Sequence, residues 1–418
     1  MLNRVINYFL NEDKYILFVY LFLFLTPWNL FKSQTAIFSL ILIFWALIKY
    51  RGVLLDKIKI VWLFKPLFFL VSFVLFCYVS IFWSESLSEG FKRVHNFHKY
   101  ELLFVPALLI ALNKEQAISS IKVLLLSFTC YSIFSIFIYF DLISIVGSST
   151  YNPKGILRFS ISTQYMVIAS FSAIFIAFYS KIKSKKLLFS TASLLSVFAL
   201  FINYSRTSQL SFLLILFLFI IMFLINYTKS FKFYVISFLV IISVLFSFSQ
   251  NERMVNKFNV SVNEVKNVYN NNVYNGSFGA RLYFNKAGIK IIKDNFFFGM
   301  GPVDNRNKLV EMEKEDKHYK MRVIKHFHSE HMEILTAYGF VGYALLFFAI
   351  VLLIYKLRNV SLYYYLSLSV FLTLFFVSFA NKTLALKPLN YIYVIFFVLF
   401  SIIAYQSKLE KKSLERTQ

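Results

Sequence analysis

The chain has 418 residues, is 59% hydrophobic and 20% aromatic, and carries only 15% charged residues. Soluble domains hold about a quarter charged residues, so a water-soluble globular fold is excluded. The formal net charge of +24 does not argue for nucleic acid, because Lys and Arg gather between apolar runs, where they set topology and meet anionic lipid headgroups.

In chain order, residues 1–13 are too polar for a cleaved signal, so the first apolar run is expected to be retained. About twelve membrane spans are then predicted. They lie near 15–32, 36–49, 61–83, 101–113, 119–146, 161–180, 187–203, 208–227, 232–249, 332–355, 360–380 and 388–405. The run 207–227 has no charged residue at all. Trp28, Trp45, Trp62 and Trp83 fall near predicted span ends, as interface anchors do. Cys77 and Cys130 lie inside apolar runs, so neither a disulfide framework nor a thiolate metal site is expected. No phosphate-binding glycine loop is present, and no ATP-driven step is expected.

With the N-terminus in the cytoplasm, the basic connections at 49–59, 181–186, 229–232 and 356–358 and the tail at 408–416 all become cytoplasmic. That agrees with the positive-inside rule. Two outward connections go against it, one with Lys92, Arg93 and Lys99, the other with Lys154 and Arg158. The expected fold class is an all-α polytopic membrane protein in three parts. Residues 1–249 hold spans 1–9, residues 250–330 form an outer loop, and residues 331–418 hold spans 10–12 and a cytoplasmic tail.

The loop before the tenth span is the longest polar stretch. Residues 251–276 are rich in Asn and Val and show no clear period. Residues 280–294 read as an amphipathic helix with Leu282, Ile289 and Ile292 on one stripe, lying along the membrane surface. Asn295-Phe296-Phe297-Phe298-Gly299-Met300-Gly301-Pro302 reads as a turn after an aromatic patch. Residues 311–325 are of mixed charge and read as a solvated face. The loop closes on His326-Phe327-His328-Ser329-Glu330-His331, which holds three of the chain's six histidines.

His328 is the foremost candidate for chemistry, since neutral imidazole suits proton abstraction near neutral pH. If the helix has already begun around Ser329, His328 and His331 share a face one turn apart. A metal site through His326, His328 and His331 is an alternative, although no nearby acid pattern completes a zinc motif. Arg206 follows a tight outward turn and Arg281 opens the amphipathic helix. A guanidinium fork binds phosphate oxygens bidentately, which suits a diphosphate. The plainer readings are a snorkelling interface charge for Arg206 and a solvated helix residue for Arg281. Arg93, near His95, His98 and Lys99, is a third candidate. Gly339 and Gly342 alone signify close helix packing.

Together these residues resemble a known family. His328-Ser329, nine residues, then Gly339-Phe340-Val341-Gly342 is similar to the periplasmic motif H-[NSQ]-x9-G-x-x-[GTY] of the O-antigen ligases. His326 stands where many members begin an H-x-H-N pattern, and Arg206 and Arg281 occupy positions that resemble those of the family's two essential arginines. Phe298-Gly299-Met300-Gly301-Pro302 resembles its P-x-x-G-x-G turn. The chain departs in having Ser329 where Asn is commoner and Asn295-Phe296 where Pro is common.

The resemblance implies a GT-C-type glycosyltransferase of the bacterial inner membrane, with no cofactor and no metal. Its donor would be a glycan on undecaprenyl diphosphate, and its acceptor a hydroxyl of lipid A–core at the periplasmic face. Arg206 and Arg281 would bind the diphosphate and His328 would assist the acceptor, with His326 and His331 as orienting neighbours. A polysaccharide polymerase using the same donor is the main alternative; related protein O-oligosaccharyltransferases usually carry an extra C-terminal domain. A lipid-linked glycan flippase fits less well, because a transporter places ionisable groups near the midplane and the predicted span interiors are nearly free of charge.

Overall fold

The computed structural model describes residues 13–30, 34–203, 205–227, 252–319 and 323–417. Regular structure among them is helical, apart from two isolated β-bridges, Ser149 with Asn152 and Tyr274 with Tyr319. Among the described residues, nine α-helices precede the polar segment: α1 (Lys14–Leu25), α2 (Gln34–Lys49), α3 (Leu54–Leu63), α4 (Lys65–Val79), α5 (Leu87–Ala111), α6 (Lys114–Tyr139), α7 (Phe159–Tyr179), α8 (Lys183–Ile202) and α9 (Arg206–Tyr227). The polar segment folds as α10 (Glu252–Asn271), α11 (Gly276–Asp294) and α12 (Asp304–Glu315). The chain then continues as α13 (Glu330–Leu357), α14 (Ser361–Val377) and α15 (Lys387–Thr417).

Among the described residues, seven helical stretches are long and apolar enough to cross a bilayer: those of α4, α6, α7, α8, α9, α13 and α15. An eighth arises if α2 and residues 51–63, which meet at a 74° bend, count as one broken span. Helices α1 and α14 are apolar but shorter. The span predicted at 232–249 lies outside the described residues. The chain is thus an all-α, multi-pass membrane protein.

Local sequence explains where several helices start. Asn113 and Gln116 form a reciprocal capping box at α6, each side chain taking the other's backbone N–H at 2.9 and 3.0 Å. Pro66 sits in the first turn of α4, where its missing N–H costs nothing. Helix α15 is apolar on every side through residues 389–404 and is accordingly buried in the middle of the bundle. Serines and threonines facing neighbouring helices close their hydrogen bonds on carbonyls one turn back, as Ser132 does to Phe128 and Thr373 to Ser369.

Several expectations are corrected. Lys92, Arg93 and Lys99 do not lie in a loop, because one helix of 25 residues, α5, runs from Leu87 to Ala111. Ser86 caps it, and while Glu89 and Lys92 stay exposed, His98 and Glu101 turn inward and pair at 3.3 Å beside buried Cys77. Residues 252–271, in which no period is legible, are helical as α10. On α11 the buried stripe is Ala280, Tyr283, Phe284, Ala287 and Ile291, offset from the expected one, and Ile289 is exposed. The stripe packs on Leu309, Tyr319 and Phe327, and Gly288 faces Met332 of α13, so α11 is sandwiched within the protein. In the 311–325 segment, Glu313 is buried and accepts the Ile324 N–H at 3.0 Å.

Candidate functional site

Arg206 is the first residue of α9, and a buried polar clamp holds the turn that presents it. Gln209 Nε2 donates to the Asn203 carbonyl at 2.8 Å, Asn203 Nδ2 donates to Ser135 Oγ at 2.8 Å, and the Ser205 and Ser208 hydroxyls meet at 3.0 Å. A cation at a helix N-terminus faces the positive end of the helix dipole, a placement that becomes favourable when an anion joins it. Arg206 itself is exposed, and its Nη1 donates to Ser261 Oγ of α10 at 2.6 Å.

Arg281 lies on the second turn of α11. One helical turn beyond Ser261, Glu264 of α10 caps the start of α11 by accepting the N–H groups of Phe278 and Gly279 at 2.5 and 3.2 Å. Gly276, at φ +69°, lets that carboxylate approach. Arg281 Nη1 donates to Ser277 Oγ at 2.7 Å and to its carbonyl at 2.9 Å; Nε reaches the Ala380 carbonyl at 3.3 Å. Burial and the nearby Arg206 together pull Arg281 below the usual guanidinium range. The two arginines are therefore electrostatic neighbours, brought from two separate connections.

The histidine segment comes close to Arg281. Phe327 is buried in the α11–α12 core, so His326 and His328 emerge together, their ring centroids 4.0 Å apart. His328 stacks on Phe284 at 5.6 Å and has a left-handed backbone, φ +52°. A non-glycine residue there stores about 1 kcal/mol or more of strain. Helix α13 begins only at Glu330, with Ser329 as N-cap accepting the Met332 N–H at 3.4 Å. The one-turn pairing of His328 with His331 is therefore corrected: His331 points into the bundle. Its Nε2 donates to the Phe375 carbonyl at 2.9 Å, which leaves Nδ1 to accept from the Tyr343 hydroxyl at 3.1 Å.

Burial first, then Arg281 and Lys382, pushes His328 down to about 4. Burial first, then His328 and Lys382, pushes His326 down to about 3. Both imidazoles are neutral at physiological pH, the state a proton acceptor requires. The Nδ1 of His326 is buried without a hydrogen-bond partner among the described residues. No three His, Cys, Asp or Glu side chains among the described residues are grouped so as to hold a metal ion.

Arg93 is placed differently. It forms an ion pair with Glu333 of α13, which also accepts from Arg306 Nε at 2.6 Å, and its Nη1 lies 3.4 Å from Asn305 Oδ1. Gly339 breaks α13 at φ +64°, freeing backbone groups on both sides of it. The 295–302 turn takes up all four. Met300 and Gly301 donate to the carbonyls of Thr336 and Ala337 at 2.8 and 3.0 Å, and Phe340 and Val341 donate to those of Phe296 and Phe297 at 2.7 and 3.0 Å. The two glycine motifs are thus halves of one joint.

Residues not proposed from sequence as site candidates complete the surroundings: Arg306, Glu330, Glu333 and Lys382, with Arg158 of the basic outward connection acting on Lys382. Lys382 had one legible signal, a basic residue in the short connection between the last two apolar runs, as Arg206 is in its own. The carboxylates Glu330 and Glu333 stand buried in the first turn of α13, where the helix dipole favours acids.

The arrangement offers clustered cations and a neutral base at one end of a helical bundle, which suits transfer from an anionic leaving group. No curated protein matches the chain. Residues 191–347 match the family model for the O-antigen ligase domain, Wzy_C, a stretch that contains Arg206, Arg281, all three closing histidines, Gly339 and Gly342. That stretch is therefore similar to the O-antigen ligase domain.

Proposed function

We propose that this protein is a periplasm-facing O-antigen ligase of the bacterial inner membrane, with a GT-C-type architecture. It moves a glycan from undecaprenyl diphosphate to a hydroxyl of lipid A–core. The single observation that supports this most is the meeting of Arg206 and Arg281, from different connections, beside the neutral imidazole of His328.

In this reading the two guanidinium groups hold the diphosphate and stabilise the charge that grows on it as the glycosidic bond breaks. The acceptor oxygen attacks the anomeric carbon from the opposite side, so the configuration inverts. His328 takes the hydroxyl proton, and undecaprenyl diphosphate leaves with the bonding electron pair. His326 orients the acceptor or His328. The sugar–diphosphate bond supplies the driving force, so neither nucleotide nor metal is used. Arg93 acts from behind, by fixing Glu333.

The test is what accumulates in cells that lack the protein. Lipid-linked polymer beside bare lipid A–core supports the ligase. Core carrying single repeat units replaces it with a polymerase using the same donor, and unchanged surface glycan rejects both.

A further inference from the structure

We propose that Lys382 is a third phosphate-binding cation of this site, held by Glu330 and presented to the diphosphate of a lipid-linked donor. The proposal rests on the diphosphate reading above and adds to it a residue outside the matched 191–347 stretch.

Lys382 lies in the connection between α14 and α15 and is half-buried. Among the described residues, no carboxylate stands within ion-pair distance of it. Burial lowers its hold on a proton, and Arg306 and Arg158 nearby act in the same sense. The two carboxylates in range have other duties. Glu333 takes Arg93 and Arg306, and Glu330 accepts the backbone N–H groups of Leu384 and Ala385 at 3.1 and 3.3 Å. A lysine left in this state is unfavourable until an anion arrives.

The backbone on both sides of Lys382 is tied to both motif arms. Before it, the Ser378 carbonyl accepts from Ser329 Oγ at 3.0 Å and from the Glu330 N–H at 2.9 Å. The Ala380 carbonyl accepts from Arg281 Nε, and the Asn381 carbonyl from the Glu330 N–H at 3.1 Å. After it come the two bonds to the Glu330 carboxylate. Residues 378–385 are therefore fixed to the segments that carry Arg281 and His328, while the ammonium between them has no ion-pair partner among the described residues. Its charge lowers the proton affinity of both His326 and His328, and Arg281 does the same to His328. Glu330 is a positioning residue: it touches no ligand and sets where Lys382 points.

A phosphate could reach Lys382 from a donor diphosphate or from a lipid headgroup, and the test separates these sources. The full chain is placed in phosphatidylcholine nanodiscs and titrated with inorganic pyrophosphate, alongside Lys382→Met, Lys382→Arg, Arg281→Met and Glu330→Gln. A lost charge-assisted contact predicts about tenfold or more weaker pyrophosphate binding for Lys382→Met, with near wild-type binding in Lys382→Arg and unchanged thermal unfolding. Glu330→Gln should weaken binding less, and should add little in combination with Lys382→Met, because both act through one contact. In transfer assays Lys382→Met should raise the donor KM more than it lowers kcat.

Wild-type pyrophosphate affinity in Lys382→Met, with affinity lost in Arg281→Met, overturns the role of Lys382 and leaves the diphosphate reading standing. A Lys382→Met effect confined to retention of phosphatidylglycerol makes Lys382 a headgroup contact, which also overturns the proposal. A wild-type protein that binds no pyrophosphate overturns both readings.

Discussion

His328 joins a strained backbone, a stacked ring and a depressed proton affinity. A left-handed φ on a histidine persists only where its surroundings enforce it, here buried Phe327 on one side and the Ser329 cap on the other. Because the base must be neutral, kcat/KM should be flat across neutral pH and fall only as pH drops towards about 4. The acid limb of kcat should lie at higher pH, since bound diphosphate favours imidazolium. A kcat/KM limb near the ordinary histidine value would contradict the buried, cation-flanked setting. His328→Ala should insert and unfold as the wild type does yet transfer nothing; near-normal surface glycan would remove its role as base. Arg206→Lys and Arg281→Lys should each cut turnover at least about tenfold, because a point charge does not reproduce a bidentate fork. Full activity in both would undo the diphosphate assignment. The cluster of closing histidines was legible in sequence, but the separation of His331 from its neighbours was not. It depends on where α13 starts, and Ser329 decides that.

Gly339 is the point on which an element turns. At φ +64° an L side chain is strained, and its Cβ would fall 2.5 Å from the Gly299 nitrogen, against the Phe297 carbonyl. Gly339→Ala should therefore destabilise by roughly 1–3 kcal/mol and lose transfer with it, read as a lower Tm of the purified protein. An unchanged Tm would mean that the joint between α13 and the 295–302 turn closes without this glycine. The motif spacing was visible beforehand and the partner was not: Gly299 and Gly339 are forty residues apart, and only their docking explains why both are glycine. Helix α5 offers the opposite lesson. Its charged half resembles a loop by composition, because hydropathy does not register that Arg93, His98 and Glu101 find partners inside.

At the scale of the molecule, the site is assembled from connections between helices. Arg206, Arg281, the 326–330 segment and the α14–α15 connection converge because α10, α11 and α13 pack them together. In the proposed mechanism charge on the leaving group is met by side chains alone, so transfer should persist after exhaustive chelation; strict dependence on added divalent metal would sink it. The sequence by itself determined that the chain is helical, apolar and multi-pass, since about twenty uncharged residues in a row must satisfy their backbone internally. It also determined the spacing of the histidine–glycine motif and pointed to two of the arginines. Only the tertiary structure decided that Arg206 and Arg281 are neighbours, that Arg93 is spent on Glu333, and that Lys382 has no counter-ion among the described residues. Hydrophobic periodicity reports which faces are buried; which charges meet depends on contacts between residues far apart in the chain.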